Sequence, residues 1–459
     1  MPVWTPQQQQ AIDARNNTIL VSAAAGSGKT AVLVERIVQL IREGWRIDRM
    51  LIVTFTKAAA AEMRQRLNKR LIKEAAADPE TMGRALDDLE STQISTIHAF
   101  CQKVLRNNFQ AVGIDPMVRP CDDQLKKTLF DEAWLDAFNA LLEEADDADF
   151  LALADVWDQQ TLYDMTAQLH DFLMSLPAPF NWLDMAIRML QRKPYRLQPW
   201  FQTLLRHKKL EISGIRTILQ HMRQMLSEPD AVASRLETLE SDEAAYQALL
   251  NADLDNATSF AAALDSFKMA KAKPARNTTD DQKAWLARFK DQRDQISEII
   301  KGAKPVVTPD EDRLDAEFSV IQQQLRGLAA LVKRTHELFL AKKEQHHVID
   351  FNDMEQFTMD ILTNPGYRRQ MQQEYDHIFV DECQDVSQVQ DAILQAIHND
   401  NNVMFMVGDV KQSIYRFRKA DPTLFMERLR TYSDEKNAKC RRIILQKNFR
   451  SRYNVLDAT

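Results

Sequence analysis

A chain of 459 residues, 45% hydrophobic and 27% charged, is long enough for more than one domain and a sizeable core. Its 66 acidic and 59 basic side chains leave a net charge of −7, which argues against coating nucleic acid through a global positive field; any such contact must come from a local groove. Four scattered cysteines without a CxxC pair suggest neither a disulfide framework nor a zinc or iron–sulfur site, and a polar N-terminus with no apolar run near ~18 residues implies a cytoplasmic protein without a membrane span.

In chain order, Thr18–Ala23 (TILVSA) predicts a short buried strand and Gly26–Thr30 a tight loop. Leu33, Val34, Ile37, Val38 and Ile41 recur at helical spacing over Thr30–Ile41, and Gly44 is a plausible stop. A second strand, Met50–Phe55, leads into an Ala-rich helix over Lys57–Arg70, so the alternation predicts a parallel α/β sheet. From Cys121 to Glu344 nearly everything reads as helix, broken at Leu176–Pro179, Lys271–Asp281 and Lys304–Pro309: a large all-helical insertion. Its Trp134, Trp157, Trp182, Trp200 and Trp285 read as core. The α/β pattern returns at His377–Asp381 (HIFVD) and Val403–Gly408 (VMFMVG), and Arg442–Leu445 (RIIL) starts a further strand.

Two segments carry chemistry. AAAGSGKT (Ala23–Thr30) matches GxxxxGK[ST] with Ala23 in the first glycine position. Gly26 and Gly28 let backbone amides cradle phosphate oxygens, Lys29 reaches the β- and γ-phosphates, and the Thr30 hydroxyl ligates Mg²⁺. Ala23, Ala24, Ala25, Gly26, Ser27, Gly28, Lys29 and Thr30 are therefore the candidate ATP contacts. The competing reading is a Gly/Ala-rich turn with a surface lysine; the strand before it and the amphipathic helix after it favour the phosphate loop. In the second segment, Asp381 ends an apolar strand where Mg²⁺ needs its second protein contact, and Glu382 is placed to orient or deprotonate the attacking water. A solvated acidic turn is the alternative there.

Taken together, these segments resemble superfamily 1 helicases of the UvrD/Rep/PcrA group. WTPQQQQAI, TFTKAAAAEM (Thr54–Met63), STIHAFC (Ser95–Cys101), DECQD (Asp381–Asp385), VGDVKQSIYRFR (Val407–Arg418) and QKNFRS (Gln446–Ser451) follow that family's motif order. VSAAAGSGKTAVLVERI and the 283-residue separation of His98 and Asp381 (381 − 98) are most similar to the larger, A-type chain of AddAB (RexAB) helicase–nucleases.

The resemblance implies a RecA-like P-loop sheet in residues 1–120 and 345–440, the helical insertion in 121–344, and the start of a second RecA-like domain in 441–459. It implies that Gln8 reads adenine, Phe449 stacks on it, Gln412 senses the γ-phosphate and Arg450 is an arginine finger. Phe55, Thr96, His98, Tyr415 and Phe417 would line a single-strand DNA track, where base stacking is worth ~1–3 kcal/mol per base. Phe55 and Phe417 also read as core aromatics, and His98 as a structural histidine. Ala31 departs from the arginine that many relatives carry after GKT. The implied activity is an ATP- and Mg²⁺-dependent 3′–5′ helicase in double-strand break repair and recombination, acting on single- and double-stranded DNA beside a B subunit. Later motifs and the nuclease domain are expected to be absent, so ATP binding with weak or no unwinding is predicted. The rival is a nucleotide-dependent DNA-binding or assembly module that never unwinds.

Overall fold

A computed structural model describes residues 4–143, 148–190, 198–307, 311–414 and 419–449. The chain divides into two compact units, Met1–Leu183 with Gly327–Thr459, and Asp184–Arg326.

The first unit opens with α1 (Pro6–Asp13), β1 (Thr18–Ala23), α2 (Lys29–Arg42), β2 (Met50–Thr54), α3 (Lys57–Ala75), α4 (Thr81–Asp88), β3 (Gln93–Thr96), α5 (Ile97–Asn108) and the short β4 (Arg119–Pro120). Helices α6 (Asp123–Glu143), α7 (Ala148–Ala154), α8 (Gln159–Leu173) and α9 (Pro179–Leu190) follow. The helical stretch continues with α10 (Pro199–Met225), α11 (Arg235–Leu250), α12 (Ala257–Ser266), α13 (Asp280–Val307) and α14 (Glu311–Gln345). The chain then returns to the sheet through β5 (Val348–Ile349), α15 (Phe351–Thr363), α16 (Pro365–Glu374), β6 (His377–Val380), α17 (Gln388–Ile397), β7 (Val403–Gly408), α18 (Pro422–Thr431) and β8 (Cys440–Leu445).

Six strands form one sheet in the order β3-β2-β6-β7-β1-β8, every pair parallel. Alternation along each strand sends side chains to opposite faces. Ile19, Val21, Ile52, Phe405 and Val407 meet α2, α3 and α4 on one side; Leu20, Leu51, Val53, Met404 and Met406 meet α5, α15 and α17 on the other. Strands covered on both faces read as continuous apolar runs, which is why TILVSA, MLIVT and HIFV are so hydrophobic. Each fully buried Leu, Ile or Phe contributes about 1.5–3 kcal/mol.

Four expectations need correction. Residues 440–445 do not open a second sheet: β8 pairs with β1 from Thr18 opposite Cys440 to Ala23 opposite Leu445, as the edge of the first sheet. The compact helical unit is Asp184–Arg326, narrower than 121–344, because α6, α7 and α8 cluster with the sheet-bearing unit. The expected break over Lys304–Pro309 falls late, since α13 runs through Pro305 to Val307. Trp157 and Trp182 are exposed, whereas Trp134 and Trp285 are core. In the helical unit Trp285 packs on Phe289 and donates its indole N–H to the Met225 carbonyl at 3.1 Å. Among the described residues, no helix is long and apolar enough to cross a membrane.

Candidate functional site

All the motifs within the sheet unit lie at the carboxyl edge of the parallel strands, where open α/β sheets place their ligands. Ala23, the residue in the off-pattern glycine position, closes β1 opposite Leu445 and is 1% exposed, so extended backbone suffices there. Left-handed backbone is required further on, at Gly26 (φ 73°) and Gly28 (φ 84°), where a side chain costs about 1–2 kcal/mol. Gly28 starts α2 without a side-chain cap, leaving the first helical amides and the positive end of the helix directed at an anion. Lys29 and Thr30 occupy that first turn.

Gln8 is fixed to the same loop. Its Nε2 donates to the Ser27 carbonyl at 3.0 Å, and its Oε1 accepts from the Thr5 amide at 2.9 Å in a capping box. The helix that carries it is held by Arg36 of α2, a fully buried side chain donating to the carbonyls of Ala11, Ile12 and Ala14 at 2.9, 3.2 and 2.6 Å. Burial lowers the Arg36 pKa to about 9, Arg15 adding to the effect, and the guanidinium lies 4.4 Å over the Phe405 ring. The reading from sequence missed Arg36, whose role depends on carbonyls more than twenty residues away.

The paired acids meet this loop. Lys29 Nζ donates to Glu382 Oε2 at 2.9 Å across 353 residues of sequence. Asp381 continues β6, its amide bonded to the Val53 carbonyl at 2.9 Å. Burial, then the charge of Glu382, holds the Asp381 carboxyl up at about 6 while Lys29 pulls the other way. Glu382 adopts left-handed backbone (φ 52°), which turns its side chain away from the strand path toward the loop lysine.

Gln384, also unnoticed in the sequence, joins Glu382 to the next motif. Its Nε2 donates to Glu382 Oε2 at 3.0 Å and its Oε1 accepts from the Asp409 amide at 2.9 Å. Asp409 in turn accepts from Gln412 Nε2 at 2.6 Å. A continuous hydrogen-bonded path therefore runs Glu382–Gln384–Asp409–Gln412. Gly408 makes it possible, because a Cβ there would lie 2.6 Å from Gln384 Oε1 and 2.8 Å from the Phe425 ring.

Phe55, Thr96 and His98 line a cavity of about 630 Å³ together with Asp381 and Glu382. Phe55 follows β2 and is half-buried. The Thr96 hydroxyl caps α5 by accepting from the Ala99 amide at 3.3 Å. His98 bonds Glu355 at 3.0 Å and rests against Phe351 with ring centroids 4.7 Å apart. Phe449 donates its backbone N–H to the Gly26 carbonyl at 2.8 Å, and its ring is 61% exposed. Tyr415, Phe417 and Arg450 lie outside the described residues.

Magnesium bound beside a nucleotide takes one or two protein oxygens plus phosphate and water. Thr30 and Asp381 suit it: both donors are oxygens, and a divalent cation offsets the burial that raises Asp381. A parallel sheet with a glycine-bent phosphate loop, whose lysine is bonded to the second of two strand-end acids, defines a P-loop nucleotide-binding domain. Residues 4–433 match the model of the UvrD/REP helicase N-terminal domain, and the chain belongs to that family. It is 36% identical to the A subunit of an ATP-dependent helicase/nuclease from Syntrophomonas wolfei over 100% of this chain and 38% of that protein. Proteins of the same description from Acetivibrio thermocellus (35%) and Clostridium acetobutylicum (32%) are covered over 38% and 39% of their lengths by 99% of this chain. The chain thus spans about 38% of the length of the curated relatives it matches.

Proposed function

We propose that this chain is the ATP-binding part of a DNA helicase, a motor that hydrolyses ATP to move along single-stranded DNA. The observation that carries the reading is the 2.9 Å contact between Lys29 and Glu382, which joins the phosphate loop to the paired acids. Thr30 and Asp381 hold Mg²⁺, which neutralises phosphate charge. Lys29 stabilises charge on the β- and γ-phosphate oxygens, and phosphate competing for Lys29 leaves Glu382 to accept a proton from water. Gln8 anchors the adenine side and Phe449 stacks there. Gln412 senses the γ-phosphate, and the path through Asp409 and Gln384 relates it to Glu382. Arg450 supplies the arginine finger.

The cavity bordered by Phe55, Thr96 and His98 is the start of the single-strand track, which Tyr415 and Phe417 extend. The family's motif order supports 3′–5′ movement. The names of the relatives support the A-type chain of a helicase–nuclease, working with a B subunit in break repair. The residues past β8 lead toward a second motor domain.

Single-stranded DNA should stimulate ATP turnover by the chain, and Lys29→Ala should lower the stimulated rate by about 10²–10³-fold, the usual effect of removing one transition-state donor. Equal rates in the two proteins would remove the assigned chemistry. Tighter DNA binding with a nonhydrolysable ATP analogue, without strand displacement, would favour the assembly-module reading instead.

A further inference from the structure

Glu355 lies on α15, outside every motif named above, yet it is 4% exposed and borders the cavity that also contains Asp381 and Glu382. Buried carboxylates persist only where neighbours satisfy them. Its Oε1 receives two partners from different elements: Gln390 Nε2 of α17 at 2.7 Å and His98 Nε2 of α5 at 3.0 Å. The orientation of Gln390 is fixed independently, because its Oε1 accepts from the Ser387 amide at 3.3 Å in the capping box that starts α17. Its amide nitrogen must therefore face Glu355. An ionised carboxylate only accepts, so His98 has to present a proton on Nε2. The other ring nitrogen, Nδ1, is then left free of this bond, with one defined tautomer in the neutral ring.

We propose that Glu355 is a positioning residue: it sets the tautomer and ring orientation of His98 for single-stranded DNA and ties that histidine to α17, which begins six residues after Glu382 (388 − 382). The assignment rests on the reading of the cavity as a DNA track. Glu355 does not touch DNA itself; it acts through His98.

The test measures the affinity of the full chain for a labelled oligothymidylate at fixed salt, alongside its affinity for a nonhydrolysable Mg–ATP analogue. Glu355→Ala should weaken DNA binding about tenfold, the scale expected when a hydrogen bond to a charged group is lost, while affinity for the analogue changes less than about twofold. Glu355→Gln keeps an acceptor for His98 and should restore most of the DNA affinity. His98→Ala should match Glu355→Ala, and the double variant should be no weaker than either single one. Wild-type DNA affinity in a folded Glu355→Ala, with His98→Ala weakened, overturns the proposal but keeps the DNA track. Losses that multiply in the double variant also overturn it. Unchanged affinity in His98→Ala overturns both the proposal and the track.

Discussion

At the scale of single residues, the site depends on a few side chains whose surroundings decide their chemistry. Asp381 is held near 6 by burial and by Glu382, so its carboxyl is ionised above that pH and protonated below it. Protons then compete with Mg²⁺. Affinity for a Mg–nucleotide analogue should be full near pH 7.5 and weaken as pH falls through about 6, whereas Asp381→Asn should be weak and flat across the range; an equal profile for the two proteins would contradict the assignment. Gly408 is a second such point. Adding a methyl group there drives it into Gln384, Phe425 and Cys383 at 2.6, 2.8 and 2.9 Å, and Gly408→Ala should destabilise the fold by about 1–3 kcal/mol, read as a lowered Tm. Lys29, Thr30, Asp381 and Glu382 were legible in the sequence because each belongs to a short contiguous pattern with a fixed chemical demand. Gln384, Asp409, Arg36 and Glu355 were not, because what defines them is a partner brought in from a distant segment. Arg36, for example, reads as one polar residue on a helix until the α1 carbonyls are placed against it.

At the scale of elements, the strands with uninterrupted apolar runs were predicted almost to the residue: β1 and β7 span Thr18–Ala23 and Val403–Gly408. The short β3 escaped because Gln93–Thr96 is half polar and its burial alternates. The misplacement of β8 has a different cause. CRRIIL carries a strand pattern but nothing in it states which strand it will join, and only the pairing with β1 assigns it to the first sheet. Ile443 is 4% exposed in the core beside β1, so Ile443→Ala should cost about 2–5 kcal/mol and lower nucleotide-analogue affinity with it. A second sheet starting at 441 would predict no change in that affinity. Helices α8 and α14 supply a pH-dependent contact: His170 Nε2 and His336 Nδ1 lie 3.0 Å apart. Burial first, then His336 and Lys343, lowers His170 to about 3; burial, then Lys343, lowers His336 to about 4. The unfolded chain, with histidines near ~6.5, binds more protons than the folded one below that pH. Their contribution to stability is therefore complete above about 6.5 and is lost on acidification toward 4, at up to about 1.4 kcal/mol per pH unit for each proton. His170→Gln should flatten the fall in Tm between pH 7 and 5; an unchanged slope would contradict this origin.

At the scale of the whole molecule, a net charge of −7 sets the terms for any DNA contact. Composition concealed the site, since the groups that line the cavity are aromatic, hydroxyl, imidazole and acid rather than a basic stripe. What gathers them is the sheet, whose parallel strands deliver the ends of β1, β2, β3, β6 and β7 to one edge. The central claim is that Lys29, Thr30, Asp381 and Glu382 act on one magnesium–triphosphate. Its most direct test is the affinity for a nonhydrolysable ATP analogue, measured with Mg²⁺ and with EDTA, across the cycle formed by Lys29→Ala, Asp381→Ala and the double variant. The account predicts that both single variants bind weakly with Mg²⁺, that their effects are not additive, and that only the Asp381→Ala defect disappears in EDTA. Additive losses, or an Asp381→Ala defect that persists without the metal, would contradict it.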